Sequence, residues 1–452
     1  MSDKQISNSG NEAELKLPWW KAYFWYLILW LMMLVDIMDR QVVAAILPML
    51  KSEFLLTDAQ AGVVSSIIGI TIALLVVPTA MLADRWSRRK VVALMVGIWS
   101  VATYATGMAR GYISLVAARL SVGVGEAGYL PVAYSLISAW FPKTRRGLMI
   151  GLFHASVPIG SAVGIMVGGW LAYKYGWRTC FGILAVPGLI LAVLAWFMPD
   201  FKNKKVEVKK ETSKNDTQSG VEVLKPTIKG ALSYIFTSPA VLSLYFVAGS
   251  IQIATNSLGI WGPTLFARSY DMNVKDAAMA VGYATLIGMI GAPIIGFIAD
   301  KAMKYMSKGR LLIVVVSALS LLGMVTIASQ TAMTGINYKI FFISWAVISF
   351  FVMGAPASIG TMTQDLVPPF YRAIAAGFLP VANQLIGGVW GPIITGALSD
   401  RFGIAYALQV VVLLSVCLVV ILAILTNIFY KRALDRINKM GHFNLEADRG
   451  KV

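Results

Sequence analysis

The chain reads as an all-α protein that crosses a membrane many times, and three observations lead there. It is 58% hydrophobic and only 13% charged, against about 25% charged in soluble domains. Its apolar residues gather into stretches of about 20, the length a helix needs to cross the hydrocarbon layer. Twelve such stretches occur, divided six and six by one polar break. A soluble globule of 452 residues would need a larger polar skin. This excludes an ordinary soluble enzyme, a disordered tail protein and a disulfide scaffold, since the two cysteines, Cys180 and Cys417, each sit in an apolar run.

In chain order the predicted spans are residues 22–50, 59–83, 91–108, 112–141, 147–172, 179–197, 240–266, 277–299, 311–329, 340–362, 373–398 and 405–430. Residues 1–21 are a polar N-terminal segment. The first span is too long for a signal-peptide core and lacks a small-residue cleavage site after it, so it is expected to stay in the protein. Span 4 is interrupted by Gly123, Gly125 and Gly128, and span 5 carries Pro158, Gly160, Gly164, Gly168 and Gly169. Small residues let helices approach closely in lipid, and around span 4 they also allow local flexibility. Residues 200–239 are rich in Lys, Glu, Ser, Thr and Asn and read as a linker. The bundles are then 22–199 and 240–430, with a polar tail at 431–452.

Charge sets the orientation. With the N-terminus in the cytoplasm, 29 of the 39 Lys and Arg fall in cytoplasmic stretches, eight in loops on the opposite side, and Arg40 and Arg119 inside spans. That asymmetry satisfies the positive-inside rule with both termini cytoplasmic, in the inner membrane if the source is bacterial. The net charge of +17 therefore reflects topology and contact with anionic lipid, and nucleic acid is not an expected partner.

The halves repeat. Arg146 and Gly151 recur as Arg372 and Gly377, offset by 226, and Gly169 and Gly176 recur as Gly396 and Gly403, offset by 227. LADRWSRRK after span 2 has a weaker echo in IADKAMKYMSKGR after span 8. Such internal similarity supports two related halves.

Six spans plus six, with ADRWSRR after span 2 and its echo after span 8, resemble the major facilitator superfamily of secondary transporters. Within it, DRQ at Asp39 to Gln41, RLSVGVGEAG at Arg119 to Gly128 and FPKTRRG at Phe141 to Gly147 look like the spinster-like and organic anion symporter branches. Their first span often reads NYxDRQ. This chain has Asp36 and Ile37 in place of the Asn and Tyr, and Ala80 and Ser87 where the loop motif usually carries Gly. The resemblance implies two pseudo-symmetric six-helix bundles, each of three-helix repeats, around a central cavity. It also implies that Asp84 helps close the cytoplasmic gate, with Arg85, Arg88, Arg89, Arg145 and Arg146 as candidates for the same network. Three arginines there would also anchor the loop inside without gating.

A charge at mid-bilayer costs at least about 2.5–3.5 kcal/mol, so such residues are read first as functional. Span 1 holds Asp36, Asp39 and Arg40, and span 4 holds Arg119 and Glu126. Asp36 and Arg40 share a helix face, Asp39 and Arg40 point about 100° apart, and Arg119 and Glu126 share a face about 10.5 Å apart along the axis. A carboxyl group in a poorly hydrated site responds both to desolvation and to a nearby Arg. Arg keeps its proton and presents a planar fork to carboxylate, phosphate or sulfonate. Asp39 and Glu126 are accordingly the candidate proton sites. Arg40 and Arg119 are candidates to bind an anion or to pair with those acids, and Asp36 is a further binding candidate. Permanent structural ion pairs are the alternative.

His154 is the one histidine inside a span, suited to proton relay, to substrate contact or to hydrogen-bonded packing. Spans 7 and 11 offer Gln252, Asn256, Asn383 and Gln384, with Trp261 nearby, to bind the polar body of a substrate or to join helices. No cluster has metal-ligand spacing, so neither metal nor cofactor is expected. The function expected is alternating-access symport of a small organic anion, a carboxylate, with protons, by a monomer that is not an enzyme. The competing reading is a spinster-like exporter or facilitator of lysophospholipid or another amphipathic lipid. A receptor or membrane-embedded enzyme is a distant third.

Overall fold

The computed structural model describes residues 17–200, 228–306, 308–335 and 337–449, without the side chains of 228–229, 355–357, 373 and 438–449. Most of the predicted N-terminal segment and linker, 1–16 and 201–227, lies outside the described residues. Every regular element among the described residues is helical. The first half comprises α1 (Trp19–Phe54), α2 (Asp58–Ser66), α3 (Ile68–Arg85), α4 (Arg88–Gly107), α5 (Tyr112–Glu126), α6 (Tyr129–Trp140), α7 (Lys143–His154), α8 (Ser156–Tyr175) and α9 (Trp177–Trp196). The second comprises α10 (Ile228–Thr237), α11 (Pro239–Tyr270), α12 (Val274–Gly288), α13 (Gly291–Tyr305), α14 (Gly309–Thr334), α15 (Tyr338–Asp365), α16 (Arg372–Asn383), α17 (Trp390–Phe402) and α18 (Ile404–Arg449). A π-helical turn, Gln384–Gly388, joins α16 to α17.

Eleven segments among the described residues are long and apolar enough to cross a bilayer. The predicted first span falls on α1, which is not among the eleven; it is a 36-residue helix with Asp36, Asp39 and Arg40 inside its apolar stretch. Two stretches read as irregular are helical. Within the predicted linker, α10 buries Ala231, Tyr234 and Ile235, and the Tyr234 hydroxyl donates to Leu366 O at 3.2 Å; this short apolar face is hidden in a polar average. The helix of the last span continues as α18 through the predicted tail to Arg449.

Local chemistry explains the punctuation. Thr57 and Gln60 form a reciprocal capping box that starts α2, and Ser87 and Asn273 cap α4 and α12. Gly176 and Gly403 turn α8 into α9 and α17 into α18, both at φ +82°, a backbone region that suits glycine. The repeat read from their 227-residue offset is thus a repeat in geometry. So is the arginine pair: Arg146 Nε donates to Phe141 O at 3.1 Å and Arg372 Nε to Val367 O at 3.3 Å, each five residues back. Spans 2, 5, 8 and 11 are each interrupted midway, by the breaks between α2 and α3, α7 and α8, α12 and α13, and by the π turn.

Packing repeats as well. α1 lies on α8 and α9 as α11 lies on α17 and α18, and α4 lies on α9 as α14 lies on α18. Between halves, α2 packs on α17 and α8 on α12. Glycines make that approach possible: a Cβ on Gly396 would strike the Asp58 carbonyl, and one on its repeat mate Gly169 would meet Ala278 and, at 3.0 Å, Val274 O.

The apolar core shows how far the seam extends. One cluster runs across both halves, including Val42, Ile46 and Leu171 with Val247, Ala278 and Val281. Toward the face carrying the chain ends, the cores separate into one drawn from residues 22–198 and another from 234–433. There Leu74, Val77 and Met81 of α3, Leu152 of α7, and Ile294 and Phe297 of α13 are exposed. The halves are joined on the face opposite the termini and part toward the terminal face.

Candidate functional site

Midway along α1, the 100° step between consecutive residues sends Asp39 and Arg40 to different partners on span 4. Asp39 turns inward to Arg119, whose Nη1 donates to Asp39 Oδ2 at 3.1 Å, with both side chains fully buried. Phe181 of α9 lies against that guanidinium at 6.0 Å. Arg40 turns to the other face, where its Nη2 lies 2.8 Å from Glu126 Oε2 and 3.3 Å from Asp36 Oδ2. The Asp36 contact is an aligned hydrogen bond, whereas the Glu126 contact is an ion pair by distance only. The Arg40 side chain is 31% exposed, against 1% for Glu126, so Arg40 is the reachable cation and Arg119 is sealed.

The cluster is incompletely satisfied. Asp39 Oδ1, Glu126 Oε1, Arg40 Nε, and Arg119 Nε and Nη2 are buried without a hydrogen-bond partner. Buried polar atoms are normally paired, so this unsatisfied group sets the cluster apart from the surrounding core. Glycines hold span 4 against its neighbours: a Cβ on Gly123 would meet Ile68 O and Thr71 at 2.8 Å.

Other predicted residues separate. His154 is exposed at the break between α7 and α8, with Nε2 2.7 Å from the Tyr134 hydroxyl. Tyr134 is eight residues beyond Glu126, about 12 Å toward the terminal face. In the second half, Gln252 Nε2 donates to Asn256 Oδ1 at 3.1 Å, and Asn256 Nδ2 donates to Gly388 O at 2.7 Å. Pro392, four residues on, has no N–H for that carbonyl, so Asn256 supports the broken backbone of span 11. Trp261, a candidate for substrate binding, is instead fully buried, and its indole donates to Pro392 O at 3.0 Å, joining spans 7 and 11. Gln384 reaches across to α3, where a Cβ on Gly69 would meet its Nε2 at 3.2 Å, and Asn383 Oδ1 is buried without a partner.

At the terminal face, Arg88 pairs with Asp84 at 2.5 Å, Ser87 donates to Asp200 at 2.6 Å, Arg89 donates to Met198 O at 3.4 Å, and Arg145 donates to the Tyr23 hydroxyl at 3.4 Å. These contacts stay within the first half, as does that of Arg146; Arg85 is exposed. The second half echoes them: Arg310 bridges Asp300 at 2.9 Å and Asp365 at 2.6 Å.

The charged contact between halves lies at the opposite face, on residues the sequence reading did not single out. Asp58 receives both Nη atoms of Arg268 at 2.7 Å, Lys51 Nζ at 2.6 Å and the Ser399 hydroxyl at 2.6 Å. Next to Ser399, Asp400 accepts from the backbone N–H groups of Asp58 and Ala59 at 2.7 and 3.0 Å, capping α2 from the other half. Partners 210 and 341 residues apart leave no local pattern; the one visible signal was Lys51, Arg268 and Asp58 among the few charges on that side. No group of three or more His, Cys, Asp or Glu suited to a metal occurs among the described residues.

The arrangement offers a half-buried guanidinium, buried carboxyl groups and two bodies joined at one face. The hexuronate transporter of Bacillus subtilis (strain 168) is 25% identical over 396 residues, 83% of this chain and 88% of that protein. The sphingosine-1-phosphate transporter SPNS2 of Xenopus tropicalis is 26% identical over 394 residues, 81% of this chain and 71% of that protein. The crystal structure of a bacterial homologue of the human lysosomal transporter spinster, inward-facing and unoccupied, superposes with a TM-score of 0.76 at 21% identity, covering 93% of this chain and 99% of that one. The profile of the Major Facilitator Superfamily matches residues 29–392, and the chain belongs to that family of multi-pass membrane transporters.

Proposed function

We propose that this transporter carries a small organic anion, a carboxylate, in symport with protons by alternating access. One observation carries the reading: the half-buried Arg40 guanidinium stands at the edge of a buried acid cluster, with Glu126 against it at 2.8 Å. An anion arriving at Arg40 competes with Glu126 for the same guanidinium, and protonating Glu126 frees Arg40 for it. Anion and proton therefore favour each other's binding, which is the requirement for symport. Gln384 and Asn383 supply polar contacts from the second half. The likeness to a hexuronate transporter supports a carboxylate cargo.

The excess of Lys and Arg on the terminal side supports both termini being cytoplasmic, and with that orientation the structure is open to the cytoplasm and shut outside by the Asp58 contacts. The bundles 22–199 and 240–430 are the moving bodies, the protein acts as a monomer, and Asp84 with its arginines belongs to the cytoplasmic gate. A second reading, transport of an amphipathic anionic lipid, is favoured by the exposed apolar side chains of α3, α7 and α13 on the terminal side and by the likeness to a sphingosine-1-phosphate transporter.

Flux in proteoliposomes under an imposed pH gradient tests both, with D-glucuronate, D-galacturonate, D-glucarate and a lysophospholipid as cargoes. Gradient-driven accumulation of a hydrophilic carboxylate is expected. Movement of lysolipid alone would replace the first reading with the second, and movement of neither would remove both.

A further inference from the structure

Three carboxyl groups, Asp36, Asp39 and Glu126, share the centre of the first half with two guanidinium groups, Arg40 and Arg119. With every group ionised the buried cluster carries one uncompensated negative charge. Burying an unpaired charge is costly, and the group concerned normally neutralises instead. One proton balances the cluster, and geometry limits where it sits.

Asp39 is a poor host. It is fully buried and is the carboxylate paired with the equally buried Arg119, so protonating it would strand a guanidinium in the interior. Asp36 and Glu126 differ. Both place an oxygen on the same atom, Arg40 Nη2, at 3.3 and 2.8 Å, so a single guanidinium nitrogen draws the two carboxyl groups together. Where two buried carboxyl groups share one guanidinium, ionising both is disfavoured and one keeps its proton. Neither Glu126 oxygen makes a hydrogen bond. The remaining titratable neighbours are Tyr129, whose hydroxyl donates to Leu29 O, Tyr26, which donates to Met149 O at 2.8 Å, and the Tyr134 and His154 pair further toward the opening. Helices α8, α9 and α11 also pack on α1, and the charges nearest their ends, Lys174, Arg178 and Arg268, belong to the opposite face.

We propose that Asp36 and Glu126 hold the coupling proton in common across Arg40, while Asp39 stays ionised against Arg119 throughout the cycle. This rests on the proton-coupled reading above and amends the expectation that Asp39 is a proton site. It also gives Asp36, which stands where the resembling branches often carry Asn, a role of its own: it is the third carboxyl that makes the proton necessary.

The test reads the proton directly, without cargo: pH-difference infrared spectroscopy of the full chain in lipid, following the C=O stretch of a protonated carboxylic acid. The wild type is expected to show one such carboxyl, lost at alkaline pH. Asp36→Asn leaves two carboxylates facing two guanidinium groups, so the band should fall to background although Glu126 is intact. Glu126→Gln should remove it equally, and Asp36→Glu should restore it. Full band intensity in either neutralising variant would overturn the shared proton, as would its absence from the wild type at every pH. Thermal unfolding of each variant establishes that it is folded, and Glu126→Gln still tests the proposal should Asp36→Asn fail to fold. Failure of proton-driven uptake with the band pattern intact would count against the transport reading alone; the reverse result would count against the shared proton alone.

Discussion

Arg40 and Arg119 sit 79 positions apart in the chain, each against a carboxylate, yet they do different work because one is reachable and the other is not. Arg40→Lys keeps the charge and loses the planar fork, so the concentration of carboxylate needed for half-maximal uptake should rise at least about tenfold, a 1.4 kcal/mol loss, with little change in stability. Asp39→Asn strips a fully buried guanidinium of its partner and should destabilise the protein by about 3–5 kcal/mol, read as a lower unfolding temperature in detergent. Glu126→Gln should keep the fold and abolish gradient-driven uptake while leaving exchange of internal for external cargo. Full gradient-driven uptake by that variant would remove Glu126 from the mechanism. Much of this was legible in the sequence, because charges inside apolar stretches announce themselves and helical spacing puts Asp36 with Arg40 and turns Asp39 away. Spacing along one helix cannot say which acid on α1 meets which base on α5, so the assignment of Asp39 to the sealed pair needed the packed structure.

Among the helices, spans 2, 5, 8 and 11, interrupted midway as span 4 also is, supply the main contacts between the halves. Gly169 and Gly396 let those contacts close. Gly396→Leu should force α2 and α17 apart and shift the protein away from this conformer; cysteine labels placed at the outer end of α2 would become accessible to membrane-impermeant reagents, whereas Gly377→Leu, at a glycine with nothing within 4 Å of a built Cβ, should leave accessibility unchanged. The repeat offsets were legible because turns at positive φ and arginine contacts five residues back are written locally. The α10 helix was not, since three buried side chains carry little weight in a long polar stretch, and neither was the duty of Trp261 and Asn256, whose partners depend on where Pro392 breaks a helix on another span.

For the molecule as a whole, the balance between its open and closed faces rests on few polar contacts. Asp58 is buried and gathers Lys51, Arg268 and Ser399. Asp58→Asn should weaken closure at that face by about 3 kcal/mol, enough to move a two-state equilibrium roughly a hundredfold. Distances between spin labels on α2 and α17 should lengthen in the variant; an unchanged distance distribution would show that the apolar seam alone holds the faces together. Asp400 adds a constraint of a different kind. The carboxylate that accepts from the first two N–H groups of α2 belongs to the opposite body, so each excursion to the other state leaves Asp400 and those two groups to water. Ionic strength on that side of the bilayer thereby becomes a thermodynamic lever on the cycle, with concentrated electrolyte favouring separation and dilute medium favouring closure.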